Sequence, residues 1–354
     1  MGEIKCLTAL RGIAAMVVVI EHFSATVEHH ATRSVPSIVG HGYLAVDLFF
    51  ALSGFIMAYT YLAGFEATGM RAYAGFLGKR VARIVPLNIA VLLAIVAGGA
   101  ISSAWIGRNI LYSSSNLPAD LLANILMLQG VGIGTNLNGP SWTISTEFVA
   151  YLLFPAFLWL MFHRHRFVAI AGFVAAIVVL CAFANQQPRL GLTEGGIAQG
   201  LARCFTQFVT GLGAYRLYRA RARFPWLGSD AVSFGAMGVS VAFLALRIDL
   251  LTVLPFPLLI ASLAANQGRA ARWLALPFPY FLGVVSYSIY LIHNAFRPIG
   301  LELLQYFHPA PVSLPAALAL ALIGSFSVVP VAWLAYRFIE RPGRVMVRAL
   351  LGGA

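Results

Sequence analysis

Charge is what this sequence has least of. Only 10% of its 354 residues are Asp, Glu, Lys or Arg, against 60% hydrophobic, and the mean hydropathy is +0.83. A soluble domain carries about a quarter charged residues. The shortage excludes a soluble globular enzyme and a disordered chain. Cysteine is scarce as well. Cys6, Cys181 and Cys204 are too few for a disulfide framework and read as reduced, structural thiols. No polar stretch is long enough for a second, soluble domain. No cleavable leader stands out either, because the first apolar run carries Arg11, Glu21 and His22. What remains is a series of apolar runs, and they describe an all-α integral membrane protein.

The runs fall at about 8–27, 42–63, 84–104, 142–162, 167–184, 197–215, 230–246, 250–266, 275–295 and 312–336. A crossing needs about 20 apolar residues, and a helix satisfies its own backbone in lipid. The expectation is therefore a bundle of about ten transmembrane helices. A further piece, 119–131, is short and ends in glycines, as an interfacial or re-entrant segment does. The formal charge of +12 is assigned to loops facing the cytoplasm, not to a nucleic-acid partner. With ten spans and both termini cytoplasmic, 17 basic residues lie inside, five (Arg33, Arg108, Arg189, Arg247 and Arg297) lie outside, and Arg11 and Arg203 lie within spans. Letting 119–131 cross would turn the Arg216–Arg223 cluster outward. Residues 1–340 then form the membrane domain and 341–354 a basic cytoplasmic tail.

Ionisable groups inside spans are costly, by about 2.5–3.5 kcal/mol at mid-helix, and mark cavities and chemistry. Arg11, Glu21 and His22 fall in the first expected span, Asp47 in the second, Glu147 in the fourth and His293 in the ninth. All but Arg11 fall at a similar level in the outer half of the bilayer. His22 is the best candidate base, since its ordinary pKa suits proton transfer near neutrality. Asp47 or Glu147, from a neighbouring helix, is expected to orient its ring. Glu21 is next to His22 in sequence and points about 100° away on a helix, so it is expected to bind the acceptor or to pair with the region of Arg11. A lone intramembrane Asp can instead pair with an Arg to hold a bundle together. At the inner face, Arg80 and Arg83 share a helix face and suit phosphate oxygens, though an ordinary positive-inside anchor has the same composition. No metal-ligand spacing, nucleophile elbow or phosphate loop is present.

These residues fall into a recognisable set. Leu10-Arg11-Gly12-Ile13 with His22-Phe23, the Gly42–Phe55 stretch around Asp47, and Arg80-x-x-Arg83 come first. Ser141-Trp142-Thr143-Ile144-Ser145-Thr146-Glu147, Ser286–His293 and Glu340-Arg341-Pro342 follow. In this order the chain resembles the acyltransferase-3 family of integral membrane acyltransferases. Thr143 stands where Ser is common. Many members append a soluble hydrolase-like domain, and this chain ends about a dozen residues after Glu340. The resemblance implies ten spans and an acyl-CoA co-substrate, with acetyl-CoA expected. It implies essential roles for His22 and Arg11, and donor phosphates held near Arg80 and Arg83. Catalytic roles are expected for His22, Asp47 and Glu147, donor binding for Arg11, Arg80 and Arg83, and acceptor binding for Glu21, Ser53, Trp142 and His293. The expected function is O-acylation of a saccharide hydroxyl in the bacterial inner membrane, alongside polysaccharide-synthesis machinery. The alternatives are a proton-coupled transporter or flippase of a lipid-linked sugar, and a scaffold with a degenerate site.

Overall fold

The computed structural model describes residues 2–28, 30–32, 36–188, 192, 196–308 and 310–351. Arg33 and Arg189, assigned above to outer loops, lie outside the described residues, as do 352–354 at the end of the expected tail. The described chain is helical, with no strand beyond an isolated bridge between Ala31 and Val312. Among the described residues, five helices are long and apolar enough to cross a membrane: Lys5–Glu28, Ile38–Thr68, Arg71–Ile106, Arg166–Ala184 and Leu314–Leu350. A bent pair, Ser141–Leu152 with Phe154–Phe162, makes a sixth if it is one span. The chain is a multi-pass membrane protein.

Where the helices differ from the apolar runs, the reasons are local. The run at 84–104 is part of a 36-residue helix that starts at Arg71. Lys79, Arg80 and Arg83 interrupt the hydropathy but not the helix, because Lys and Arg are good helix formers. The 142–162 run bends by 62° at Leu153. Pro155 sits in the first turn of the second helix, where its missing N–H cannot continue the ladder of the first helix but is tolerated at the start of a new one. Pro255 and Pro257 likewise split the 250–266 run into Asp249–Val253 and Phe256–Ala265. The 275–295 run becomes Pro277–Val284 and Ser286–Phe307. That second helix continues through Arg297 and Pro298, so Arg297 is a helical residue, not the loop residue expected. The helix at Leu117–Ile125 has nine residues, about 13 Å at 1.5 Å each, too short to cross.

The chain divides into two compact units. The first comprises 1–14, 43–76 and 149–284. Its centre is the crossing of Ala45–Thr68 with Ile197–Arg219. A Cβ on Gly54 would collide with the Phe208 carbonyl oxygen, and one on Gly211 with that of Ala51. The two backbones touch there, as small residues allow in membrane helices. Beside the crossing, Phe55, Tyr59, Tyr215 and Tyr218 pack ring against ring. The second unit comprises 15–42, 77–148 and 285–354. Its segment 114–137 is built on two side chains. Asp120 accepts from the Ser114 hydroxyl at 2.6 Å and the Thr135 N–H at 2.7 Å. Asn124, fully buried, donates to the carbonyls of Asp120 and Thr135, both at 2.7 Å. Gly134 turns the chain at φ +77°, a left-handed conformation that favours glycine.

Candidate active site

In the second unit, His22 faces His293. Their Nδ1 and Nε2 atoms are 2.8 Å apart. His293 has no exposed surface, and its Nδ1 donates to the Tyr290 carbonyl at 2.7 Å. On the other side of the His22 ring, its Nε2 is 3.4 Å from Glu21 Oε2. The His22 side chain keeps 27% of its surface exposed. The carboxylate beside this ring is therefore the sequence neighbour, set aside above as pointing away. A 100° turn separates the two Cβ atoms, but the glutamate chain is long enough to fold back. Gly42 lies against this point, because a Cβ there would sit 2.7 Å from Glu21 Cβ.

Arg297 borders the same cluster. Its Nε donates to the Thr26 hydroxyl at 2.8 Å and its Nη1 to Asn294 Oδ1 at 3.1 Å. Thr26 donates in turn to the His22 carbonyl at 2.8 Å. One turn beyond His293 on its helix, this cation escaped the sequence reading because its charge and Pro298 resemble the end of a span. The signal available was its four-residue spacing from His293.

The helix starting at Ser141 is fixed to the His293 helix by polar contacts. Asn138 Nδ2 donates to the Leu291 carbonyl at 2.9 Å. The Thr143 hydroxyl donates to the Pro140 carbonyl at 2.9 Å and lies 3.0 Å from the Tyr290 hydroxyl. Trp142 is half-buried, and its carbonyl oxygen closes on Gly130, where a Cβ would approach to 2.7 Å. Glu147 is half-buried too, and its charge acts on Tyr287, as do those of Arg83, Glu340 and Arg344.

Arg80 and Arg83 lie half-buried on the Arg71–Ile106 helix. The Arg341–Leu350 helix lies alongside in the opposite direction. Gly343 abuts Pro86, and Leu351 reaches within 3.4 Å of a Cβ built on Gly78. Arg344, paired with buried Glu340, acts on Tyr287 as Arg83 does. A π-helical turn at Tyr336–Glu340 precedes it; such bulges often occur at functional sites.

Arg11, Asp47 and Ser53 belong to the first unit. Arg11 Nη2 donates to the Gly283 carbonyl at 3.3 Å. Ser53 Oγ is 3.2 Å from the Tyr151 hydroxyl. Asp47 is gripped by Arg203, Nη2 to Oδ2 at 2.6 Å and Nε to Oδ1 at 3.3 Å, with both side chains buried. Tyr43, under the Arg203 guanidinium, donates to Asp249, which also accepts from the Leu192 N–H at 2.8 Å. Asp47 thus has a cationic partner of its own. Among the described residues, no group of three or more His, Cys, Asp or Glu is placed to hold a metal ion.

A helical membrane protein with a half-buried imidazole, a carboxylate beside it and a guanidinium cluster fits the class of membrane enzymes that transfer groups by acid–base chemistry. Residues 4–337 match the family model described as Acyltransferase domain, and the chain belongs to this acyltransferase-3 family. It is 29% identical to Acyltransferase MdmB of Streptomyces mycarofaciens over 91% of this chain and 87% of that protein. It is 25% identical to BcsY of Komagataeibacter xylinus, which bears the name membrane-bound transacylase, over 95% of this chain and 82% of that one. An O-acetyl transferase of Shigella phage Sf6 is 26% identical over 43% of this chain and 45% of its own. No solved structure matches the chain.

Proposed function

We propose that this acyltransferase moves an acetyl group from acetyl-CoA to a saccharide hydroxyl, in a ten-span bundle of the bacterial inner membrane with both termini cytoplasmic. His22 Nε2 takes the hydroxyl proton as the oxygen attacks the thioester carbonyl. The tetrahedral intermediate collapses, the carbon–sulfur bond breaks, and the leaving thiolate takes that proton back from the imidazolium. Glu21 stabilises the imidazolium in between. The placement of His22 between an imidazole and a carboxylate carries this reading. Arg80, Arg83 and Arg344 suit the donor phosphates, since guanidinium groups bind phosphate oxygens in pairs. In the same unit, Trp142 keeps the acceptor role and Glu147 the catalytic role expected of them. Arg11 and Asp47 keep the roles the family resemblance implies, with Asp47 acting through Arg203, and Ser53 keeps the acceptor-binding role expected of it.

The test is mass spectrometry of surface glycans from cells with and without the protein. An acetyl group lost from a saccharide hydroxyl, and restored by the wild-type chain alone, supports the reading. Unchanged acetylation overturns it.

A further inference from the structure

The two imidazoles form a directed chain. A carbonyl oxygen only accepts, so the 2.7 Å contact between His293 Nδ1 and the Tyr290 carbonyl places a proton on that nitrogen. A neutral imidazole has one donor and one acceptor, so His293 Nε2 carries the lone pair. His22 Nδ1, 2.8 Å from that lone pair, must be the donor. The lone pair of His22 is then on Nε2, the atom 3.4 Å from Glu21.

The ring geometry agrees. The planes differ by 17° and the centroids are 5.1 Å apart. Face-to-face stacking cannot bring two ring nitrogens to 2.8 Å, which is inside the thickness of a ring. The rings therefore meet end to end, nearly in one plane, as an N–H···N bond requires.

We propose that His293 is a positioning residue that fixes the tautomer of His22, so that Nε2 is its basic nitrogen. The proposal rests on reading His22 as the base. It replaces the acceptor contact expected of His293 with a buried relay from the Tyr290 carbonyl. It also replaces the expected orientation of His22 by a carboxylate from another helix. When Nε2 takes a proton, the Nδ1–H bond to His293 is unchanged, so the ring need not turn during catalysis. The new N–H faces Glu21.

The tautomer is read by ¹⁵N NMR of the full-length, histidine-labelled protein in detergent, with His22→Gln identifying the His22 signals. A protonated Nδ1 and bare Nε2 on His22 support the proposal; a protonated Nε2 and bare Nδ1 overturn it. This reading of the wild type stands even if a variant fails to fold. Activity is read as CoA release from acetyl-CoA in the presence of a surface-glycan extract. His293→Leu should lower kcat on the order of 100-fold, with the KM for acetyl-CoA little changed, and should move the His22 proton to Nε2. His293→Gln, which keeps an acceptor, should recover most of both. Wild-type kcat and an unmoved proton in His293→Leu contradict the proposal. Full turnover by His22→Ala would instead remove the base reading and leave the tautomer measurement standing.

Discussion

Asp47→Asn should weaken the fold severely, and the reason lies wholly within one unit. The Arg203 side chain is 1% exposed and that of Asp47 is 0% exposed, and they share two hydrogen bonds. Removing one partner of such a pair leaves a buried charge uncompensated, at a cost of about 3–5 kcal/mol. For a chain of 354 residues that corresponds to a drop in Tm of about 4–7 °C. Arg203→Leu should lower Tm comparably. Combining Asp47→Asn with Arg203→Leu removes both charges, so the double variant should be far more stable than the sum of the single losses implies. A coupling of about 2 kcal/mol or more is expected. The assay is thermal unfolding of detergent-purified protein, followed by tryptophan fluorescence. Additive losses, or an unchanged Tm in Asp47→Asn, would refute the view that Asp47 acts through Arg203.

Three further perturbations test separate parts of the structure. Gly211→Leu puts a side chain onto the Ala51 carbonyl where two helices touch, and overpacking costs at least about 1–3 kcal/mol; reduced folded yield by size-exclusion chromatography is expected, and a normal yield would contradict the close crossing. The Asp120 carboxyl is held below the ordinary aspartate range by the Ser114 hydroxyl first and the Thr135 N–H second. Its contribution is present above the unfolded pKa and is lost as pH falls through the lowered folded value, so the acid fall in Tm below about pH 4 should be shallower in Asp120→Asn. Arg80→Ala with Arg83→Ala should raise the KM for acetyl-CoA with a smaller effect on kcat. Equal losses in both constants would place these residues elsewhere in the mechanism.

The helical class was legible because a chain with so little charge must pair its backbone internally in lipid. The boundaries were less legible. Hydropathy ended the third run at its basic residues, whereas the helix runs on through Arg71–Arg83. Prolines 155, 255 and 257 were in plain view, yet a composition window averages over them. At the site, intramembrane charge singled out His22, Glu21 and His293, which the fold brings together. Their mutual arrangement was not legible, since helical period says where a Cβ points and not where a long carboxylate ends. Arg203 and Arg297 were overlooked for opposite reasons. Arg203 was seen inside a span, but sequence does not say that it meets Asp47. Arg297 was read as lying outside one.

The central claim is that His22 is the base of acyl transfer. It is tested most directly by steady-state CoA release from acetyl-CoA, with a surface-glycan extract as acceptor, comparing purified wild-type protein with His22→Ala at matched Tm. The account predicts a fall in kcat of about 10²- to 10⁴-fold, with the KM for acetyl-CoA nearly unchanged. Turnover near the wild-type rate in folded His22→Ala would contradict it.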